Sequence, residues 1–304
     1  MENKCKTKKI LKYSWFITSM ILIMIYIVII CLTKKYIKNN DVNEKNSSYK
    51  FNNPKKGIIN NFNENQITKV NFKECLSTFS TKFNIADSNR NENIKISAEK
   101  INNIILMPGE EFSYNKVLGE RSKEAGYKQG ISYIGGKAVS DYGGGVCQTA
   151  STLYNAILLA NLEVVSRTSH YFQVGYVPAG RDATVYWPNL DFRFKNNRKY
   201  PIKISTNIEY DSLKIDIFGT KEDNEYEVQI ESNITSYIPI SIKYEYDNNL
   251  TIGKEILIET GTNGIRSETY KIIKKNNNII LKTLISRDIY NGKQTIIKIG
   301  TKTK

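Results

Sequence analysis

The sequence predicts an α+β protein: an N-terminal transmembrane helix, an α+β domain with a mostly antiparallel sheet, and a small all-β domain at the C-terminus. Three observations carry this prediction. An uncharged apolar run occupies residues 14–33. Helical periodicity is confined to two segments, one on each side of a glycine-dense stretch. Beyond residue 226 the chain alternates between apolar and polar residues with almost no helical pattern.

The apolar run comes first in the chain. From Ser14 to Leu32 there is no charged residue, and Ile, Met, Leu, Val, Phe and Trp dominate. A bilayer core of about 30 Å takes roughly 20 apolar helical residues, whose backbone amides are satisfied within the helix. Tyr13 and Trp15 stand at its edge, where amphipathic rings favour the headgroup level. Lys4, Lys6, Lys8, Lys9 and Lys12 precede the run, with no acid between Lys4 and Lys12. Lys34, Lys35 and Lys38 follow it but are diluted by Asp41 and Glu44. This bias puts residues 1–13 in the cytoplasm and the rest of the chain outside. A cleaved signal would have an apolar region of about 7–15 residues and small residues at its cleavage point. Here the run is longer and ends Ile29-Ile30-Cys31-Leu32, with Ile30 where a lipoprotein site needs a small residue. The expectation is a single-pass cell-membrane protein with a cytoplasmic N-terminus and extracellular C-terminal domains.

Residues 34–70, rich in Asn, Lys and Ser with little apolar periodicity, read as a flexible linker. An α+β domain is expected over residues 71–220. Ile94, Ala98, Ile101 and Ile105 recur at helical spacing, so 93–104 reads as an amphipathic helix ended by Met107-Pro108-Gly109. The stretch Ser132–Gly145 is glycine-dense. A second helix is expected over Thr149–Asn161, with Ala150, Leu153, Tyr154, Ile157, Leu158 and Ala160 forming a wide apolar face. Strands are expected at Glu163–Arg167, Ser169–Val177, Ala183–Trp187, Phe192–Lys195, Pro201–Asn207 and Leu213–Phe218, with a Pro178-Ala179-Gly180 turn. In the all-β domain, 226–302, the alternating segments are Glu227–Glu231, Lys254–Glu259, Thr269–Lys274, Ile279–Ser286 and Gln294–Ile299.

Charge and cysteine content narrow the class. A net charge of +14 favours an anionic partner, which for this topology is a cell wall or membrane surface and not nucleic acid. Part of that charge is a solvated lysine face. Of four Cys, Cys5 and Cys31 fall in or before the membrane run, leaving Cys75 and Cys147 outside, where a disulfide between them is open. One His and no Cys-x-x-Cys give no reason to expect a metal, and no cofactor is expected.

The sharpest local feature is Gly143-Gly144-Gly145-Val146-Cys147-Gln148. A glycine-rich loop running into a helix puts Cys147 near a helix N-terminus, where unpaired amides and the macrodipole favour an anion. A thiol there has a lowered pKa. The same amides can donate to the oxyanion formed when a thiolate attacks a carbonyl, and bare glycines let a substrate approach closely. The one histidine, His170, follows as candidate base and Asp182 as its orienter, each expected on a strand. Gly143, Gly144, Gly145 and Gln148 are the candidate substrate and oxyanion residues. A lone Cys is more often a small core residue and a lone His a satisfied structural group. The glycine approach, the helix start and the nearby His together favour chemistry.

These motifs carry a resemblance. Asn93-Ile94, Met107-Pro108-Gly109-Glu110-Glu111-Phe112-Ser113-Tyr114-Asn115, Gly126-Tyr127 and Gly143 through Ala156 resemble the VanW family. So do His170, Tyr176 through Val185, and Phe194-Lys195-Asn196-Asn197. The C-terminal part resembles the five-glycine domain of Gram-positive surface proteins through Gly253, Gly261, Gly264 and Gly300-Thr301-Lys302, with Asn276-Asn277 where a glycine is usual. The resemblance implies an L,D-transpeptidase that makes 3-3 peptidoglycan cross-links through a Cys147 thioester. His170 would be base, Asp182 its orienter, and the amides of Cys147 and Gln148 the oxyanion hole. The implied partners are peptidoglycan stem peptides and glycan. The Ser-His-Gly-Cys motif of the more familiar L,D-transpeptidases is absent. A peptidoglycan-binding accessory without turnover, and hydrolysis of the same stems, stay open as alternatives.

Overall fold

The computed structural model describes residues 72–134, 137–222 and 226–303. The expected anchor at 14–33 and the linker at 34–70 lie outside them. Among the described residues no helix is long and apolar enough to cross a membrane.

The first part is α+β. Strand β1 (Glu74–Lys82) leads into helix α1 (Ser88–Ile101). Asp87 caps this helix by accepting a hydrogen bond from the Arg90 amide, so it begins five residues before the expected start at 93. It also ends earlier than expected, before Asn103 at φ 61° and the short strand β2 (Ile105–Leu106). Then come β3 (Glu111–Ser113), α2 (Tyr114–Leu118) and the hairpin β4 (Gln129–Ile134) with β5 (Lys137–Tyr142). Helix α3 (Val146–Leu159) follows, then β6 (Glu163–Ser166), β7 (Arg193–Lys195), β8 (Ile202–Glu209) and β9 (Ser212–Gly219).

The central sheet has the order β1-β9-β8-β2 and is antiparallel throughout. Leu213, Ile215 and Ile217 alternate along β9 and are fully buried, as a strand with one covered face requires. Helix α3 covers that face, packed on β1 and β9, and α1 lies beside it through Ile94, Ala98 and Ile101. A small antiparallel sheet, β3-β7-β6, closes the core with Phe112 stacked on Phe194. Nearly all of α3 is buried, so its polar residues must find partners inside the protein.

Two of the expected strands do not form. Ser169–Val177 and Ala183–Trp187 have no strand pairing beyond an isolated bridge between Tyr186 and Leu190. The segment 181–185 is hydrogen-bonded instead to side chains of α3. It alternates because every second residue faces that helix.

The second part is all β. Strands β10 (Glu227–Ile238), β13 (Gly264–Lys275) and β14 (Asn278–Tyr290) form one antiparallel sheet. Strands β11 (Ile242–Thr251), β12 (Glu255–Glu259) and β15 (Thr295–Lys302) form another, in which β11 and β15 run parallel. Asn276 and Asn277, at φ 50° and 64°, make the β13–β14 turn, taking the positive φ values that tight hairpins need and that Asn tolerates.

Candidate active site

Cys147 is the second residue of α3, after a turn in which Gly143 and Gly145 sit at φ 89° and 106°. Only glycine adopts these values without strain. The expectation that the glycines open space for a substrate is not what the packing gives. A Cβ at Gly145 would lie 2.8 Å from Arg90 Cγ, at Gly144 3.0 Å from the Gly130 backbone, and at Gly143 2.9 Å from Arg121. The bare backbone lets this protein's own α1, β4 and Arg121 close on the turn. Asn93, fully buried, secures it further by donating to the Gly144 and Lys128 carbonyls and accepting from the Lys128 amide.

Gln148 differs from its expected role. Its side chain accepts from Arg90 (2.6 Å) and donates to Thr81 and to the Lys82 carbonyl, so it joins α1, β1 and α3. Its amide is taken by the Gly145 carbonyl at 2.9 Å. The Cys147 amide has no hydrogen-bond partner among the described residues.

His170 and Asp182 lie in the irregular segment between β6 and β7, not on strands. The carboxylate of Asp182 is fully buried and receives four donors. Oδ2 accepts the His170 amide at 2.7 Å and ring Nδ1 at 2.5 Å. Oδ1 accepts Arg167 Nη2 at 2.8 Å and the Tyr290 hydroxyl at 2.5 Å. Burial alone would raise this carboxyl, but the His170 bond, the Arg167 charge and the Tyr290 hydroxyl bring it down to about 2. With Nδ1 held, Nε2 is the ring nitrogen left for the Cys147 thiol. Burial opposes the charge on His170, yet its bond to Asp182 and the neighbouring Cys147 raise it to about 9. Burial likewise pushes the Cys147 thiol up. The neighbouring His170 and its charge, the Val185 amide and Arg121 outweigh it, so the thiol ends below its ordinary value. Both shifts run in the same sense, toward a charged ring beside a more acidic thiol.

A second feature aligns the two halves. Cys147, Ser151 and Asn155 recur every four residues on one face of α3. Cys147 Sγ lies 3.4 Å from the Val185 carbonyl and 3.5 Å from its amide. Ser151 Oγ accepts from the Ala183 amide at 2.9 Å. Asn155 donates to the Arg181 carbonyl at 2.7 Å and accepts from Arg181 Nε at 2.6 Å. The helix thereby fixes the backbone that carries Asp182. The Ser and Asn spacing is visible in the sequence as a polar stripe on a helix read only for its apolar face. Arg167, Asp288 and Tyr290 gave no such signal. Both Cys147 and Cys75 are free thiols, so no disulfide joins them. Among the described residues no group of three His, Cys, Asp or Glu is placed to hold a metal ion.

Comparisons with known proteins agree in their domain content. The profile described as VanW like protein matches residues 89–218, and the G5 domain profile matches residues 229–302. Protein YoaR of Bacillus subtilis, described as uncharacterized, is 45% identical over 129 residues, covering 42% of this chain and 43% of its own. The vancomycin B-type resistance protein VanW of Enterococcus faecalis is 26% identical over 143 residues, covering 45% of this chain and 52% of its own. The chain thus spans about half the length of the curated relatives it matches. The crystal structure of HP0197-G5 aligns over 25% of this chain and all of its own at 22% identity, with a TM-score of 0.18 that bears no weight on the fold. The chain therefore carries a VanW-like domain, homologous to VanW and YoaR, followed by a G5 domain.

Proposed function

We propose that the protein is a cell-wall enzyme that transfers an acyl group through Cys147, forming 3-3 cross-links between peptidoglycan stems as an L,D-transpeptidase. The observation that carries this reading is a free thiol at a helix start, its pKa lowered by a neighbouring histidine whose Nδ1 is held by a buried aspartate. Each part has a task. The Cys147 thiolate attacks the carbonyl of the third residue of a donor stem, and the unpaired Cys147 amide donates to the oxyanion. The C–N bond breaks, the His170 imidazolium gives its proton to the departing D-Ala amine, and a thioester remains. The side-chain amine of an acceptor stem then attacks the thioester. It loses a proton to His170 and expels the thiolate, leaving an isopeptide bond and the original enzyme. Asp182 keeps the ring oriented and stays ionised throughout.

The same reading places the chain in the cell membrane, held by residues 14–33, with the folded part outside and facing the wall. The net charge of +14 suits an anionic wall. In the G5 domain, Tyr244 and Tyr246 on β11 are exposed and lie on one face, where aromatic rings can stack on glycan.

The test is incubation of the purified protein with disaccharide-tetrapeptide muropeptides, with products read by mass spectrometry beside Cys147→Ala. A 3-3 dimer formed with loss of D-Ala, and absent in the variant, is expected. Tripeptide without dimer assigns hydrolysis. Muropeptide binding without turnover, equal in both proteins, assigns an accessory binding role and overturns the enzyme reading. Protease protection in intact cells tests the topology: residues beyond 70 should be cleaved from outside.

A further inference from the structure

We propose that Asp288 and Tyr290, at the end of β14, are positioning residues for the Cys147 centre, so that the G5 domain is a structural part of the active site. The inference rests on the reading of Cys147 as the nucleophile.

The geometry is specific. Asp288 and Tyr290 are two residues apart on one strand and share a face, while Ile289 between them is exposed. That face meets the segment holding His170 and Asp182. The Tyr290 ring is almost fully buried, and its hydroxyl accepts from the Gly180 amide at 2.7 Å and donates to Asp182 Oδ1. Asp288 acts one step further out. Arg167 donates Nη2 to Asp182 Oδ1, Nε to the Asp182 carbonyl at 2.6 Å and Nη1 to Asp288 Oδ1 at 2.5 Å. Asp288 is itself held by Ser286 Oγ at 2.8 Å. The carboxylate that orients His170 therefore has one oxygen held by His170 and the other held by a residue of the G5 domain and by an arginine that the G5 domain neutralises.

The neighbouring contacts fit a built junction. Gly180, at φ 83°, leaves no room for a Cβ, which would fall on Thr269 Oγ1 of β13. Ser232 Oγ donates to the Ala179 carbonyl, and the Asn291 amide donates to the carbonyl of Tyr171, next to His170. A domain serving only to bind wall sugars needs no buried carboxylate and no buried phenol aimed at the aspartate that orients His170.

The test reads the thiol rather than turnover. The rate of Cys147 alkylation by iodoacetamide is followed from pH 4 to 11 by peptide mass spectrometry on the full chain, for the parent, Tyr290→Phe, Asp288→Asn and Lys271→Ala. The titratable and charged groups around the thiol, the imidazole and its carboxylate are Asp182 itself, Cys147 and Tyr154 from α3, Arg90 from α1, Arg121 after α2, Arg167 after β6, Tyr176 beyond His170, and Asp288 and Tyr290 from β14. Removing the Tyr290 hydroxyl takes away the positive end of a dipole, so the upper pKa of the profile should rise by about half a unit. Asp288→Asn removes a negative charge and leaves the Arg167 charge less balanced, so the upper pKa should fall by about one unit. Lys271→Ala breaks only the Lys271–Asn161 bridge between the same two domains and should leave the profile unchanged.

Opposite shifts in the first two variants support the proposal, because simple loosening of the junction moves both the same way. Unchanged profiles in both, shifts of one sign in both, or an equal shift in Lys271→Ala overturns it. Muropeptide turnover is measured on the same samples. Tyr290→Phe should lower kcat/KM about tenfold with KM unchanged, as loss of a hydrogen bond to a charged group predicts. If the parent turns nothing over while the opposite pKa shifts persist, the reaction assignment fails and the positioning role stands.

Discussion

The two free thiols among the described residues give the residue scale its own control. Cys75 is exposed on β1, where burial of part of its side chain and the charge of Asp216 raise its pKa. Cys147 is lowered by His170 despite deeper burial. At pH 7, Cys147 should therefore react with iodoacetamide at least about ten times faster than Cys75, and His170→Ala should remove the difference. Equal rates in the parent would show that His170 does not activate the thiol. Asp182 has the larger structural consequence. Asp182→Asn leaves Arg167 and His170 without their shared buried carboxylate and should cost about 3–5 kcal/mol, read by urea unfolding. The same substitution should lower turnover by about a hundredfold or more, since the base is no longer held. The pH dependence has a definite sign. His170 is raised from 6.5 to about 9, so its contribution to stability is full below pH 6.5 and is lost as pH rises through 9. Asp182 is lowered from 3.8 to about 2, so its contribution is present above pH 3.8 and is lost as pH falls through 2. The parent's stability should show both limbs, and in Asp182→Asn the acid limb should vanish and the alkaline one weaken.

At the scale of elements, what could be read in the sequence follows from where the hydrogen bonds go. Helix α3 was legible because its apolar residues repeat at helical spacing, and β8 and β9 because their buried residues alternate. The alternation at Ala183–Trp187 is just as clear but has a different cause. Its Ala183 and Val185 amides bond to Ser151 and Cys147 of α3 and its Thr184 amide to the Thr168 carbonyl, which lies on no strand, and alternation alone does not distinguish a helix side-chain ladder from a sheet. The candidate nucleophile, base and orienter were legible as residue types in order. The surroundings of Asp182 were not, because Tyr290 is 108 residues away and no local pattern marks it. Two substitutions separate the ladder from the turn before it. Ser151→Ala strands the buried Ala183 amide and should cost about 1–3 kcal/mol, leaving the helix content seen by circular dichroism unchanged. Gly145→Ala puts a Cβ at φ 106° and 2.9 Å from the Arg90 carbonyl, so the turn must move. Its strain of about 1–3 kcal/mol should come with slower Cys147 alkylation, since the shift carries the start of α3 away from His170.

At the scale of the whole molecule, the question is whether the two folded domains unfold as one. Domains joined by small polar contacts usually open independently, because the junction adds little beyond what water offers. Here the junction contains a buried guanidinium between Asp182 and Asp288, a buried phenol shared by Gly180 and Asp182, and the Lys271–Asn161 bridge. If the G5 domain unfolded first, Arg167 would lose one carboxylate and Asp182 one donor, each left in an interior built to hold both. Breaking buried pairs in this way costs about 3–5 kcal/mol, a large share of an ordinary domain's stability. Urea unfolding should therefore be a single transition. Hydrogen exchange of β13 and β14 should lose protection at the same urea concentration as α3, and Cys147 should become freely alkylated there too. In Asp288→Asn the transitions should separate, with β13 and β14 opening first and α3 persisting to higher urea. Separate transitions already present in the parent would mean that the junction contributes little to stability. Asp288 and Tyr290 could then act on the thiol only by orienting Asp182, and only while the domains are docked.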